Sequence, residues 1–325
     1  MNSEKTLLEI SGLKKYFPVS HSMINKNRKY LKAVDDVSLS IHEGEICGLV
    51  GESGCGKSTL GRCALRLHTV TEGSVVFDGQ HIEHLSLKQT RPLRAKMQII
   101  FQDPYAALNP RMSVMDSVKA PLDTLSHETE DRKRKMANEL LDYVGITSQH
   151  RNKYPHELSG GQRQRVVIAR AMITNPRFVV CDEPVSALDV SVRSQVLNLM
   201  KRMQRETGVS YLFISHDLSV VKYLCDTVAV MYLGKLVEMA GKAELFANPR
   251  HPYTRALISA IPVPDIHHKA ERMILKGDIP SPVNPPSGCY FHTRCPYATE
   301  RCEQEQPTLE QIAPGHFAAC HRKDI

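Results

Sequence analysis

The stretch that most restricts the fold of this chain is GESGCGKSTLGR, residues 51–62, which joins a strand-like run to a helix-like run. The run before it, GEICGLV, is apolar without alternation, as buried strands are, and LGRCALRL after it spaces its apolar residues like a helix. Between them, Gly51, Gly56, Lys57 and Ser58 follow the pattern G-x-x-x-x-G-K-S. At a strand-to-helix junction this pattern predicts a P-loop, whose backbone N–H groups surround phosphate oxygens.

The segments that follow alternate between strand-like and helix-like runs. FVVCDEP and VSYLFISHD are typical of buried strands, and DTVAVMYLGKLVEMA is typical of a hairpin that turns at Leu233 and Gly234. DRKRKMANELLDYVG spaces Met136, Leu141 and other apolar residues like a helix, with Gly145 where a C-terminal cap would lie. Strands that alternate with helices predict a mostly parallel α/β sheet.

The length of 325 residues suggests one large domain and something smaller. No apolar run approaches the roughly 18 residues that a membrane span needs, and the first residues lack the pattern of a signal peptide, so we expect a cytosolic chain. Prolines crowd into GDIPSPVNPPSGC, and proline continues neither a helix nor a central strand. We therefore expect a large domain over residues 6–250 and a small irregular module over residues 251–325.

Two acidic residues end the strand FVVCDEP. Besides the serine of its P-loop, a P-loop protein needs a carboxylate near the metal ion, at the end of a neighbouring strand. We expect Asp182 to hold Mg²⁺ through water, with the Ser58 hydroxyl as a direct ligand, and Lys57 to reach the β- and γ-phosphates. Glu183, one residue further, could take a proton from the attacking water. The segment LSGGQRQRVVIARA places Ser159 before two glycines and an arginine-rich helix, which predicts a second anion-binding helix start.

Taken in order, these motifs resemble those of the ATP-binding subunits of ABC transporters. The resemblance implies an ABC-type P-loop ATPase domain, with a mixed sheet core and a helical subdomain, that hydrolyses ATP. It assigns Phe17, or alternatively Tyr16, to stacking on adenine, and Gln102 in IIFQDP to sensing Mg²⁺ and the attacking water. It also makes SALD, residues 186–189, the D-loop and His216 in ISHD the switch histidine that contacts the γ-phosphate.

The resemblance thus gives three sets of site residues within one chain. Catalytic roles fall to Glu183, His216 and Gln102, and Mg²⁺ to Ser58, Gln102 and Asp182. The implied ATP contacts are Phe17, Gly51, Ser53, Gly54, Cys55, Gly56, Lys57, Ser58, Thr59, Gln102 and Asp182.

In proteins of this family the LSGGQ segment faces the P-loop of a second subunit. Ser159, Gly160, Gly161 and Gln162 would then contact ATP in trans. The resemblance therefore implies a second, homologous ATPase subunit, with a heterodimer expected.

Three further stretches narrow the resemblance within the family. FQDPYAALNPRMSV, DEPVSALDVSVRSQVLNLM and HPYTRALISAIP are similar to segments of bacterial oligopeptide and dipeptide importers, most of all their F-type ATPase. This implies two permease subunits, an extracytoplasmic binding protein and a position on the cytoplasmic face of the inner membrane. Nickel and glutathione importers share much of the pattern. The alternative to an importer subunit is a soluble ABC ATPase that acts on DNA or the ribosome, but such proteins typically have long insertions or two ATPase halves in one chain. We therefore expect no nucleic-acid partner.

Four cysteines, Cys289, Cys295, Cys302 and Cys320, crowd the end of the chain, with five, six and seventeen residues between them. Zinc ribbons usually have two-residue gaps, and disulfides are not expected in a reducing cytosol. Iron–sulfur clusters accept wider gaps, and peptide-importer ATPases with a similar pattern can hold a [4Fe–4S] cluster. Three interpretations of these four cysteines remain: ligands of a [4Fe–4S] cluster, ligands of a zinc ion, or buried thiols without a metal. His292, His316 and His321 are alternative ligands, although histidines in such loops usually have other roles.

Overall fold

The computed structural model describes residues 5–19, 29–262 and 273–322. Residues 263–272 and 323–325 of the expected C-terminal module therefore lie outside the described residues. The β-strands are β1 Thr6–Pro18, β2 Tyr30–His42, β3 Ile46–Val50, β4 Glu72–Phe77, β5 Gln80–His81, β6 Met97–Ile100, β7 Phe178–Asp182, β8 Ser210–Ser215, β9 Thr227–Tyr232, β10 Lys235–Gly241, β11 Glu310–Ala313 and β12 His316–Ala318. The α-helices are α1 Lys57–Ala64, α2 Leu87–Thr90, α3 Pro104–Ala107, α4 Val114–Leu125, α5 Glu130–Tyr143, α6 Ser148–Arg151, α7 Gly160–Met172, α8 Val190–Thr207, α9 Leu218–Leu224, α10 Lys242–Ala247, α11 Pro252–Ser259 and α12 Glu300–Gln304.

The apolar runs predicted as buried strands have that structure. Every residue of β3, β7 and β8 is buried. The predicted hairpin is β9 and β10, which turn through Leu233 and Gly234, both with positive φ. The predicted helix is α5, and Gly145 follows its end with φ +80°, a conformation that glycine adopts without strain.

The described residues group into two compact units. Unit I comprises residues 5–7, 41–45 and 84–214, and unit II comprises residues 8–19, 29–40, 46–83, 215–262 and 273–322.

In unit I, strands β6, β7 and β8 form a parallel sheet. Met97 to Ile100 of β6 pair with Phe178 to Cys181 of β7, and β7 pairs in turn with β8. Helix α7 carries buried apolar residues on most of its length, and α4 and α5 pack with it. The parallel register brings the carboxyl ends of β7 and β8 to one edge, where Asp182 stands opposite Ile214.

Unit II contains two sheets. In the first, β2, β1, β4 and β5 follow one another in that order, with antiparallel pairing of β1 to β4 and of β4 to β5. The second is mixed, because β3 pairs parallel to β9, whereas β9 and β10 pair antiparallel. The prediction of a mostly parallel sheet was therefore too simple for this unit, since the hairpins reverse the chain direction.

The expectation of a small irregular C-terminal module does not hold for residues 310–318. Strands β11 and β12 form an antiparallel hairpin, and β12 pairs with β10 through Glu238 opposite Ala318 and Met239 opposite Phe317. Gly315 in the turn has φ +71°. Over the described residues 273–309, the segment before this hairpin has the irregular structure expected from its prolines, with short helices such as α12.

Across the residues that the structure describes, no helix has the length and apolar character required to cross a membrane.

Candidate functional site

The loop between β3 and α1 approaches backbone atoms so closely that two of its glycines cannot be replaced without a clash. A Cβ on Gly51 would lie 2.1 Å from the carbonyl oxygen of Met231 in β9, and one on Gly56 would lie 1.9 Å from that of Ala33 in β2. Both residues also have positive φ, +152° and +106°. The loop is therefore seated directly on two strands of unit II, and its glycines are required for that contact.

The P-loop lysine folds over its own loop. Lys57 is 5 % exposed, and its Nζ donates to the carbonyl oxygens of Gly51 at 2.7 Å and Glu52 at 2.9 Å. Cys55 is buried under the same ammonium group, and burial raises the pKa of its thiol. The ammonium group thus lies at the centre of a loop that can enclose an anion.

The remaining predicted P-loop residues divide between the tip of the loop and the helix that follows it. Ser53 and Gly54 are exposed at the tip, and Ser58 and Thr59 are half-buried in the first turn of α1. The start of α1 thus combines a hydroxyl-rich turn with the positive end of the helix dipole.

Of the two aromatic candidates for adenine, Tyr16 has its hydroxyl engaged elsewhere. That hydroxyl donates to Asp35, and burial together with this hydrogen bond raises the pKa of Tyr16. Phe17 is half-buried in β1. Its ring is nearly perpendicular to that of His68 at a centroid distance of 5.8 Å, and Lys15 Nζ lies 4.7 Å from its centroid. This arrangement favours Phe17 as the aromatic that receives a base.

In unit I the structure brings Gln102 and Glu183 together. Gln102 Nε2 donates to Glu183 Oε2 at 3.0 Å, and Glu183 is half-buried. The backbone of Glu183 has φ +47°, which is uncommon for a residue with a side chain. Its N–H donates to Ile214 at 3.1 Å, and its carbonyl oxygen accepts from the Ser186 hydroxyl at 3.1 Å. Strained backbone held by several hydrogen bonds is typical of functional positions.

Asp182 and His216 each stand at the carboxyl end of a strand. Asp182 is the last residue of β7 and is 4 % exposed. His216 follows β8 directly and is exposed, just before Asp217, whose side chain caps α9 by accepting from Ser219 N–H at 2.9 Å. Loops at the carboxyl ends of parallel strands are where α/β proteins bind ligands.

The LSGGQ segment forms the exposed start of α7. Ser159 is its N-cap, and its hydroxyl accepts from Gln162 N–H at 3.3 Å, while the Gln162 side chain accepts from Ser159 N–H at 3.0 Å. A Cβ on Gly161 would lie 2.4 Å from a methyl group of Val192, so this helix start packs closely on α8. Ser159 and Gly160 are exposed, and the helix N-terminus is therefore open to an anion.

The four C-terminal cysteines share one neighbourhood. Burial is the main cause that raises the pKa of Cys289 to about 12 and that also raises the pKa values of Cys295 and Cys320, and the nearby cysteine thiols add to each rise. Among the described residues, however, no group of three or more histidine, cysteine, aspartate or glutamate side chains lies close enough to hold a metal ion. The donor set therefore suits a soft metal, but the ligating geometry is not formed.

The three histidines considered as alternative ligands make other hydrogen bonds. His292 Nδ1 contacts the carbonyl oxygen of Cys289 at 2.9 Å, and His321 Nε2 contacts that of Glu305 at 3.0 Å. His316 is completely buried, with Nε2 2.8 Å from a carboxylate oxygen of Glu238. These contacts fit the structural roles that histidines usually have in such loops.

Sequence reasoning missed the contacts between the cysteine segment and the nucleotide-site candidates. Arg294 forms an ion pair with Glu52 of the P-loop, and the Tyr290 hydroxyl donates to Asp35 at 2.8 Å, the same carboxylate that Tyr16 contacts. The partners are 242 and 255 positions apart, and no local pattern in the sequence pairs them.

Two family models match this chain. The model described as ABC transporter matches residues 34–186, and the model described as oligopeptide/dipeptide transporter, C-terminal region, matches residues 237–302. The first match contains the P-loop, Gln102, LSGGQ, Asp182 and Glu183, and the second contains three of the four cysteines.

Curated relatives match over nearly the whole chain. The oligopeptide transport ATP-binding protein AppF of Bacillus subtilis is 50% identical over 98% of this chain and 98% of its own length. A putative peptide import ATP-binding protein of Brucella ovis is 49% identical over 99% of this chain and 100% of its own length.

Solved structures match the larger part of the chain. A dimeric ATP-binding cassette in a post-hydrolysis state, bound to ADP and Pi, matches with a TM-score of 0.66 and 27% identity, over 73% of this chain and 99% of its own. The protein cbiO1 of Clostridium perfringens, part of an ABC transporter complex, matches with a TM-score of 0.65 and 30% identity, over 75% of this chain and 92% of its own. The fold is therefore that of an ABC ATPase, and the chain belongs to the ABC transporter family, among the ATP-hydrolysing subunits that carry the oligopeptide/dipeptide transporter C-terminal region.

Proposed function

We propose that this chain hydrolyses ATP to power the uptake of oligopeptides or dipeptides through a membrane permease. The observation that carries the proposal is the similarity over 98% of the chain to an oligopeptide transport ATP-binding protein, which includes the C-terminal region as well as the ATPase motifs. A domain over residues 6–250 would bind and hydrolyse ATP, and residues 251–325 would form the extension typical of the peptide importers.

Within that domain we assign the chemistry to three side chains. Glu183 accepts the proton of the attacking water, and Gln102, already 3.0 Å from the Glu183 carboxylate, orients that water. His216 contacts the γ-phosphate from the end of β8. The role of Glu183 is supported by its strained backbone, since strained backbone conformations cluster at functional sites, where the surrounding structure holds them in place.

The nucleotide itself would be held by the P-loop and by the half-buried aromatic residue Phe17 of β1. Backbone N–H groups of the loop and Lys57 contact the phosphates, and Phe17 stacks on adenine. The full set proposed for ATP is Phe17, Gly51, Ser53, Gly54, Cys55, Gly56, Lys57, Ser58, Thr59, Gln102 and Asp182.

Mg²⁺ suits the oxygen donors at three of these positions. A serine hydroxyl, a glutamine side-chain oxygen and a carboxylate are hard oxygen donors of the kind this ion prefers. Ser58 and Gln102 supply the first two, and the Asp182 carboxylate would hold the ion through water. When bound, the ion neutralises charge on the phosphates.

A second ATPase subunit would complete the site. Ser159, Gly160, Gly161 and Gln162 form a helix start at which Ser159 and Gly160 are exposed, which supports contact of these four residues with ATP held by a partner's P-loop. The similarity to a dimeric ATP-binding cassette supports the same arrangement. We propose a heterodimer under two permease subunits at the cytoplasmic face of the inner membrane, fed by an extracytoplasmic binding protein.

The Glu183→Gln variant tests the catalytic assignment. It should bind ATP and the partner subunit like the parent, lose hydrolysis by a factor of about 100 or more, and accumulate as the ATP-bound dimer, because the general base is lost while the fold is kept. Glu128→Gln, at an exposed position before α5, is the matched control and should hydrolyse ATP normally. If Glu183→Gln turned over ATP like the parent, Glu183 would not be the base.

Transport is tested in cells that lack the native subunit. Complementation with the parent should restore uptake of labelled oligopeptides and membrane association that depends on the permease, whereas Glu183→Gln should restore the association alone. Restored uptake of nickel or glutathione without peptide uptake would overturn the peptide assignment. Unchanged membrane association in cells without the permease would count against the proposed complex.

We propose further that Cys289, Cys295, Cys302 and Cys320 hold a [4Fe–4S] cluster. Their shared neighbourhood supports this, and metal binding would draw the four thiols into ligating distance. The cluster would link four separated backbone positions and so stabilise a segment with little core of its own. Anaerobically purified protein should contain about four iron and four sulfide ions per chain, and Cys320→Ser should lose them. Bound zinc, or no metal after reconstitution, would refute the cluster.

A further inference from the structure

A salt bridge joins the C-terminal segment to the P-loop within unit II. Arg294 Nη1 donates to Glu52 Oε2 at 2.8 Å, and Nη2 donates to Glu52 Oε1 at 3.1 Å, which is the bidentate geometry of a strong pair. The Arg294 side chain is 8 % exposed and that of Glu52 is 26 % exposed. The pair is thus shielded from the water that weakens surface ion pairs.

The rest of Glu52 is held as firmly as its carboxylate. Its N–H donates to the Tyr253 hydroxyl at 2.8 Å, and its carbonyl oxygen accepts from Lys57 Nζ at 2.9 Å. Tyr253 is fully buried against Tyr232, and the Tyr232 hydroxyl lies 3.5 Å from Arg294 Nη1. The first residue after Gly51 is therefore fixed through backbone and side chain together, while Ser53 and Gly54 stay exposed.

The charge of Glu52 makes this arrangement matter for ligand binding. The loop must accept a triphosphate, and a carboxylate on the residue next to Gly51 would repel it across a half-buried site. Arg294 neutralises that carboxylate and keeps it bound at the side of the loop. Lys57 Nζ contacts the carbonyl oxygens of Gly51 and Glu52, while the Glu52 carboxylate is paired with Arg294.

We propose that Arg294 is a positioning residue of the ATP site, which holds Glu52 away from the phosphates and cancels its charge. The inference rests on ATP binding by the P-loop but not on the transported substrate or on the cysteine cluster. Arg294 does not itself contact the nucleotide in this proposal. It acts through Glu52.

A purely structural salt bridge would stabilise the fold without affecting ATP, and a double-mutant cycle separates the two roles. The measurement is the Kd of the purified full-length chain for MgATP, together with its unfolding transition. Arg294→Met keeps the length and apolar stem of the side chain and leaves the Glu52 carboxylate unpaired. It should raise the Kd by about tenfold.

Glu52→Gln removes the repelling charge and should bind MgATP at least as tightly as the parent. The double variant Arg294→Met/Glu52→Gln should recover most of the affinity that Arg294→Met loses, because the unpaired carboxylate is gone. Arg294→Lys should lie between the parent and Arg294→Met, since a lysine keeps the charge but not the bidentate fork.

Rescue by Glu52→Gln is the decisive result. If the double variant bound MgATP as weakly as Arg294→Met, or if Arg294→Met bound it like the parent, the positioning role would be refuted. If Arg294→Met did not fold, Arg294→Lys compared with Arg294→Lys/Glu52→Gln makes the same test. Failure of the parent itself to bind MgATP would instead refute the ATP site.

Discussion

His251 should make the stability of this protein depend on pH in a range where most carboxylates stay ionised. The side chain is 1 % exposed, and burial lowers its pKa from the ordinary 6.5 to about 3. Its Nδ1 accepts a hydrogen bond from Tyr253 N–H at 3.1 Å and so caps α11, a role that requires an unprotonated nitrogen. The Phe291 ring packs against it at a centroid distance of 5.5 Å.

The direction and size of this pH effect on the free energy of unfolding follow from proton linkage. In the unfolded chain the imidazole gains a proton below about pH 6.5, whereas in the folded chain it stays neutral until about pH 3. Its contribution is therefore fully present above pH 6.5 and declines as the pH falls towards 3. Between pH 7 and pH 5 the loss amounts to about 2 kcal/mol in the free energy of unfolding.

The matched control is His251→Asn, since asparagine is a good N-cap and does not titrate. Chemical unfolding followed by circular dichroism, which suits a chain without tryptophan, gives the free energy of unfolding of both proteins at pH 7, 6 and 5. Every other titrating group is common to both, so the difference between them isolates His251. We expect the parent to lose about 2 kcal/mol more than the variant between pH 7 and pH 5. A difference that stays constant with pH would refute the assignment.

Three other changes give equally direct tests of the structure. Gly56→Ala should destabilise the fold by more than Gly79→Ala. Both glycines have a positive φ that strains alanine, but of the two only Gly56 would place the new Cβ against a backbone oxygen. Urea unfolding of the two variants measures the difference in the free energy of unfolding. Phe291→Ala should cost about 3–5 kcal/mol, since the ring is buried among aromatic side chains, and a smaller loss in the same assay would mean that the cluster repacks. Tyr290→Phe removes the donor to Asp35 and should cost about 1–3 kcal/mol; no loss would show that water replaces the hydroxyl.

The sequence predicted those parts of the molecule that depend on short-range pattern. The P-loop, the strand that ends at Asp182 and the start of α7 each combine a local run of apolar residues with glycines or polar residues at a fixed spacing. Such patterns predict local structure because they depend only on residues that are close together in the sequence. Buried strands β3, β7 and β8 and helix α5 were predicted for the same reason.

What the sequence did not predict depends on pairing between distant segments. The Arg294–Glu52 ion pair and the Tyr290–Asp35 hydrogen bond join positions more than 200 residues apart, and side chains of these types are common on any surface. The short strands β11 and β12 likewise gain their structure from pairing rather than from propensity. The prolines before β11 correctly indicated irregular backbone in their own segment. They carry no information about whether the residues that follow pair as strands.

The pairing of β12 with β10 has a practical consequence for anyone who isolates the ATPase portion. Because β10 lies between β9 and β12, a chain shortened after residue 250 would expose the N–H and C=O groups of β10 that pair with β12 around Glu238 and Met239. Open edges of this kind template association with other copies. A truncated protein should therefore aggregate through a newly uncovered sheet margin, and solubility would return with a segment that supplies residues 310–318.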